Sequence, residues 1–141
     1  MKLSYDVLEY FLSIQADGER FAHHDYPLNQ LFGIQNGYPT FLATQHGVDS
    51  AGDAENYIAR LGKAPRMVDQ VMEGLRAREA AAILPPTFVV EKVLAEMRAF
   101  TAVPARENIL YTSFAEKLGK LPADTLAEGE RDALLAQAET A

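Results

Sequence analysis

The chain has 141 residues, 48% of them apolar, which is the size of one domain and enough to bury a real core. Its net charge of −7, from 20 acidic and 13 basic side chains, argues against nucleic acid as a partner, since counterion release needs a cationic face and Lys and Arg are scattered singly here. There is no cysteine, which excludes disulfides, zinc ribbons and thiol chemistry.

No apolar run approaches the ~20 residues that span a bilayer. Met1-Lys2-Leu3-Ser4 leads straight into an amphipathic pattern, so the sequence predicts no signal peptide and, as written, a cytoplasmic chain. Leu and Ala dominate the apolar set, and no stretch alternates apolar and polar over strand length. The expectation is all-α: an irregular array of about seven helices without a sheet, residues 1–141 forming one unit.

The first helix is expected from Ser4 to Asp17, with Leu3, Val7, Leu8, Phe11 and Leu12 along one stripe and Gly18 as its stop. Arg20 to Gln35 has no helical period; it reads as an ordered loop with a helical turn near Gln30. A short helix over Tyr38–Gln45 follows, with Pro39 in its first turn, where a missing N–H costs nothing. Ser50 can cap the next helix through the Asp53 amide, with Asp53 reaching back. Ala54, Tyr57, Ile58 and Leu61 fall at i, i+3, i+4 and i+7, and Gly62 closes that helix.

Pro65 opens a helix to Ala82 whose predicted buried stripe is Val68, Val71, Met72 and Leu75. Gly74 inside it suggests a close neighbour, since glycine there costs ~1 kcal/mol against alanine. Pro85-Pro86 predicts a corner, because neither residue offers an amide. Thr87 is the expected cap of a helix to Ala102, whose broad apolar face holds Val89, Val90, Val93, Leu94, Met97 and Phe100. Asn108 caps a helix carrying Leu110, Tyr111, Phe114 and Leu118, ended by Gly119 and Pro122. The last helix, Asp124 to Thr140, has little beyond Leu126, Ala133 and Leu134 to bury.

Candidate chemistry is sparse. The histidines are His23, His24 and His46, with no His-Glu-x-x-His run. His23, His24 and Asp25 offer loop ligands, but polar loop residues bonded to the backbone are the simpler account. Ser4, Ser13, Ser50 and Ser113 lie outside any nucleophile elbow. Gly33-Ile34-Gln35-Asn36-Gly37 lacks the Lys and Ser/Thr of a phosphate loop and reads as a turn. Glu128, Glu130 and Asp132, with Arg131 among them, have no apolar pocket to raise a carboxyl pKa and read as a solvated face. Tyr5, Tyr10, Tyr38, Tyr57 and Tyr111 sit mostly at core spacing, so packing with the hydroxyl at the rim is expected. The residues therefore predict no catalytic, cofactor-binding or metal site, and no cofactor.

The blocks Asp25-Tyr26-Pro27-Leu28-Asn29-Gln30-Leu31-Phe32-Gly33 and Tyr57-Ile58-Ala59-Arg60-Leu61 resemble the bacterial family catalogued as domain of unknown function 885. So do Ile83-Leu84-Pro85-Pro86-Thr87-Phe88-Val89-Val90-Glu91-Lys92-Val93-Leu94, with Met97 to Phe100, and Asn108-Ile109-Leu110-Tyr111-Thr112-Ser113-Phe114. The blocks come in family order along nearly the whole chain, and the double proline is the most specific. The resemblance implies a large, nearly all-helical, zinc-metallopeptidase-like protein, often exported or lipid-anchored. The family's presumed zinc motif, a His-Glu pair followed by a further His on one helix, lies far towards the C-terminus, and nothing in this sequence aligns with it. By resemblance the chain is an internal segment of the N-terminal helical half: a truncated gene product, a split reading frame or an isolated piece.

Three functional expectations follow. The first is a non-catalytic helical scaffold that forms one wall of a substrate cleft in the full-length relative, its partner being the missing catalytic half. The second is a free-standing helical interaction module whose apolar faces meet in a homodimer. The third and weakest is a small hydrolase using His23, His24 and Asp25. In each, the wide face of the helix after the double proline is expected to leave apolar surface open when the chain is alone.

Overall fold

The computed structural model describes residues 2–122 and 124–141, apart from the Glu128 side chain. Among the described residues there are seven α-helices and no strand: α1 (Lys2–Gly18), α2 (Ile34–Thr40), α3 (Ala51–Leu61), α4 (Ala64–Ala80), α5 (Thr87–Ala102), α6 (Ile109–Lys120) and α7 (Glu128–Thr140). The all-α expectation holds.

The core lies where α3, α6 and α7 meet the end of α2. Tyr57 of α3 and Phe114 of α6 are fully buried and stack with centroids 4.5 Å apart and planes 14° from parallel. Leu42, Leu61 and Leu118 pack round them, and Leu121, Leu126, Leu134 and Ala138 close the other side. The last helix, which the sequence shows as nearly bare, is thus what completes the core. Few apolar residues suffice because α6 and α3 supply the opposing faces. Arg131 holds the junction by donating to the carbonyls of Leu118, Leu121 and Pro122 at 3.1–3.2 Å, satisfying the end of α6. This is a role the reading of a solvated acidic face missed. Glu130 instead accepts from the Ala127 amide at 2.9 Å, opening α7, so α7 starts at Glu128 and not at Asp124.

Local capping follows the sequence in two places. Ser50 accepts from the Asp53 amide at 3.2 Å and donates to the Asp53 carboxylate at 2.7 Å. Asn108 accepts from Leu110 N at 3.0 Å. Thr87 is not a cap: it is the first residue inside α5, Pro86 holds the cap position, and no side-chain bond forms there. Gly119 does not end α6, which runs on to Lys120. The Ser50 hydroxyl, then the Asp49 amide, hold the Asp53 carboxyl below its usual value. A depressed folded-state value contributes stability above the unfolded value near 3.8 and loses it as pH falls through the folded one. Ser50→Ala is expected to cost about 1 kcal/mol at neutral pH. In urea denaturation the gap to wild type should narrow between pH 6 and pH 3, and a gap independent of pH would sink this account.

The double proline is a corner, as expected. α4 ends at Ala80, short of the expected Ala82, which lies just beyond it at φ 56°. The amides of Ile83 and Ala82 bond back to Arg78 O and Glu79 O at 2.9 and 3.0 Å. This wraps the last turn in the left-handed closure usually made by glycine. Leu84-Pro85-Pro86 then carries the chain across to α5.

Between α1 and α2 a turn over residues 30–32 stands near Gln30, and α2 starts at Ile34, before the expected Tyr38. Asn29 organises this loop. Its side-chain oxygen accepts from Leu31 N and Phe32 N at 2.9 and 2.7 Å, and its amide nitrogen donates to Tyr26 O at 3.0 Å. Gly33 is obligatory here, because a Cβ would fall 2.6 Å from Asn29 N and 2.7 Å from Asn29 O.

Two predicted stripes are not buried. No residue of α1 or α4 is buried. Val68 and Met72 are 49% and 42% exposed, while Val71 and Leu75 are only half-buried. Total accessible surface is 9938 Å2 for 15.5 kDa, against about 7,200 Å2 for a compact protein of that mass. Both helices are amphipathic, but among the described residues nothing closes fully over those faces.

Candidate functional site

The loop histidines are not gathered with further ligand side chains among the described residues. Asp25 is taken by Arg78, which pairs with its carboxylate and donates to its carbonyl at 3.0 Å. His24 packs edge-on against Phe21, centroids 5.4 Å apart, and both histidines are exposed. Among the described residues no group of three or more His, Cys, Asp or Glu is placed to hold a metal ion.

His46 is different, being 93% buried beneath the α2 extension. After α2 the chain widens into one π-type turn, with the His46 amide donating to Phe41 O, five residues back, at 3.0 Å. The Arg60 guanidinium lies 2.7 Å from His46 Nδ1. Arginine can only donate, so Nδ1 accepts and Nε2 carries the hydrogen, donating to Asp53 O at 3.2 Å. Lys117 reaches from α6 to donate to Leu42 O at 2.6 Å and His46 O at 2.7 Å, and its ammonium lies 5.6 Å from the Tyr57 ring centre. Burial pushes the Lys117 pKa down, opposed by Glu116. Burial pushes the Tyr57 hydroxyl up, and it donates to Leu110 O at 2.8 Å. The polar heads of His46, Lys117 and Tyr57 each have a protein partner in this cluster. It locks the wide turn to α3 and α6, and no single sequence motif announces it.

The open feature is a seam between α4 and α5. Its larger recess holds about 400 Å3 and is lined by Met72 and Leu75 of α4, Val90, Val93 and Leu94 of α5, and Tyr26 and Leu28 from the loop. Beyond Met97, which is shared, a second recess of about 200 Å3 runs on to Tyr38, Phe100 and Leu110. The Tyr26 hydroxyl donates to Leu84 O at 3.4 Å across the mouth, and Arg76, Arg78 and Glu79 stand at the rim. Arg78 also folds back onto Gly74 O at 3.0 Å, the close neighbour that the mid-helix glycine implied. The first recess is in the size range of a ligand pocket. Its lining is mostly apolar, with Arg76, Arg78 and Glu79 as the charged members, so it is suited to burying apolar groups. Tyr26 went unnoticed among the tyrosines. Of the tyrosines expected to sit mostly at core spacing, Tyr5 and Tyr10 are exposed on α1.

Fold and site together define an all-helical protein with a small closed core, an open apolar seam and an unpacked first helix. A family profile described as bacterial protein of unknown function (DUF885) matches residues 1–141, and the chain belongs to that family. No curated protein matches the chain, and no solved structure does. Among the described residues no helix is long and apolar enough to cross a membrane.

Proposed function

We propose that this chain is a non-catalytic helical scaffold segment of a metallopeptidase-like protein, one wall of a substrate cleft without the zinc site. The observation that carries the reading is α1. It is a 17-residue helix with no buried residue, although Leu3, Val7, Leu8, Phe11, Leu12 and Ile14 are apolar and at least 48% exposed. A face of that kind belongs against another surface. The open seam supports the same reading, as does the likeness of the sequence blocks to a larger helical protein. The zinc half of the reading rests on that likeness alone.

A second reading is a free-standing interaction module, favoured by the breadth of the α1 apolar face. In both readings the chain itself is not an enzyme.

The purified chain is expected to bind a hydrophobic dye or to self-associate, and to contain no stoichiometric zinc. Light scattering across a concentration series, dye fluorescence and elemental analysis check this. A strict monomer that binds no dye would remove the physical support for both readings. One metal per chain, lost in His23→Ala or His24→Ala, would overturn the non-catalytic assignment.

A further inference from the structure

We propose that the smaller recess, between α2, α4 and α5, binds an organic ammonium ion through the Glu96 carboxylate. The ligand class is a primary amine carrying one ring-sized apolar group. The proposal concerns this chain alone and stands apart from the scaffold reading.

Glu96 is the one charged side chain among the described residues that line this recess. It lies on α5 one turn before Phe100 and is half-buried. Most of the remaining lining is apolar, with Ile34, Met67, Met97 and Phe100 as its larger members. No cationic side chain pairs with Glu96 among the described residues, whose ion pairs are Arg78–Asp25, Arg106–Glu139 and Lys120–Glu116. A carboxylate beside apolar walls, without a counter-charge, is poorly compensated.

The protein offers it only two amide donors. Gln35 Nε2 lies 3.4 Å and Asn36 Nδ2 3.3 Å from Glu96 Oε2. Both distances exceed the roughly 2.7–3.2 Å of an ordinary N–H···O bond. Glu96 Oε1 accepts from no described group and is open to solvent. A carboxylate has about four acceptor sites, so most of its capacity is left for an incoming N–H.

The acceptor is also held in place. Gln35 Nε2 donates to Asn29 O at 2.7 Å, tying the amide to the loop that the Asn29 side chain organises. Gly33 leaves room for that arrangement, because a Cβ there would strike Gln35 Oε1 as well as the Asn29 backbone. Binding therefore needs little rearrangement of these groups.

Size and lining select the rest of the ligand. The recess holds about 200 Å3, and a cavity of about 150 Å3 takes one benzene-sized group. Tyr38 and Phe100 contribute aromatic rings, which suit both an aryl group and a neighbouring cation. A metal ion matches less well, since a divalent cation takes several oxygen ligands and one carboxylate is the only anionic donor here.

Phenethylamine, cationic at neutral pH, is the probe, and 2-phenylethanol is its uncharged counterpart of the same shape. Nuclear magnetic resonance titration is expected to show saturable shifts at the Gln35 and Asn36 side-chain amides. The amine should bind at least about tenfold more tightly than the alcohol. Glu96→Gln keeps the shape and removes the charge, so it should erase that preference and leave the alcohol's affinity unchanged. Circular dichroism verifies that this variant stays helical, and the comparison of the two probes on the unaltered chain stands without it. The proposal is overturned if amine and alcohol bind equally, if the preference survives Glu96→Gln, or if the shifts gather round Leu75 and Leu94 in the larger recess. Absence of any saturable shift at millimolar amine would overturn it too.

Discussion

Phe114→Ala is expected to lower stability by about 3–5 kcal/mol, the usual cost of truncating a fully buried aromatic. Phe114 has no exposed surface, and its ring stacks on Tyr57 at 4.5 Å. Its removal strips one face from Tyr57 and opens the space between α3 and α6. Domains carry only about 5–15 kcal/mol in total, and this chain leaves two helices unburied, so the variant is expected to sit near its unfolding midpoint in buffer. Urea titration followed by circular dichroism measures it. A loss below about 1 kcal/mol would mean that the aromatic stack is not the centre of the fold. Phe88, exposed at the start of α5, supplies the control, and its alanine variant should fall within about 0.5 kcal/mol of wild type.

Lys117→Met is the second large expectation, at about 2–3 kcal/mol. Methionine keeps the length and apolar stem of the side chain but removes the donor shared by Leu42 O and His46 O. An acceptor left without a partner away from water costs about 1–3 kcal/mol, and two are affected. Those carbonyls belong to the wide turn that follows α2, so the loss should loosen that turn before the rest. Hydrogen exchange at the His46 amide, bonded to Phe41 O, is expected to accelerate more than exchange in α7. Lys120→Met offers the comparison, because its ion pair with Glu116 is exposed on both sides and solvent screening leaves it little to contribute. Equal effects from the two lysines would show that Lys117 acts only as a surface charge.

The seam and the lock around His46 were differently legible. The seam's members were visible as the broad apolar face of α5 and the stripe of α4. What could not be seen was that the two faces stand apart instead of closing on each other. The lock was invisible for another reason. His46, Arg60 and Lys117 are far apart along the chain, and each looks like an ordinary polar residue. Only the wide turn over Phe41–Gln45 points the Leu42 and His46 carbonyls at α6, and a π-type turn leaves no periodic signature in so short a run.

What the residues alone determined is what local chemistry decides. Helix was settled by Leu and Ala richness with no strand alternation. Ser50 and Asn108 settled two starts through short side chains within reach of their own backbone, and Pro85-Pro86 settled the corner by withholding two amides. Family membership was legible too, in blocks whose order survives along the chain. Tertiary structure decided which amphipathic faces find a neighbour. α1 and α7 made the comparison: α1 has the stronger apolar pattern and remains bare, while α7 has the thinner one and completes the core. Periodicity states what a face would bury if something lay against it, but the free energy comes only from the surface that arrives. That arrival depends on loop paths, on Arg131 fastening α7 beneath α6, and on the Asp25–Arg78 pair holding the loop across the seam.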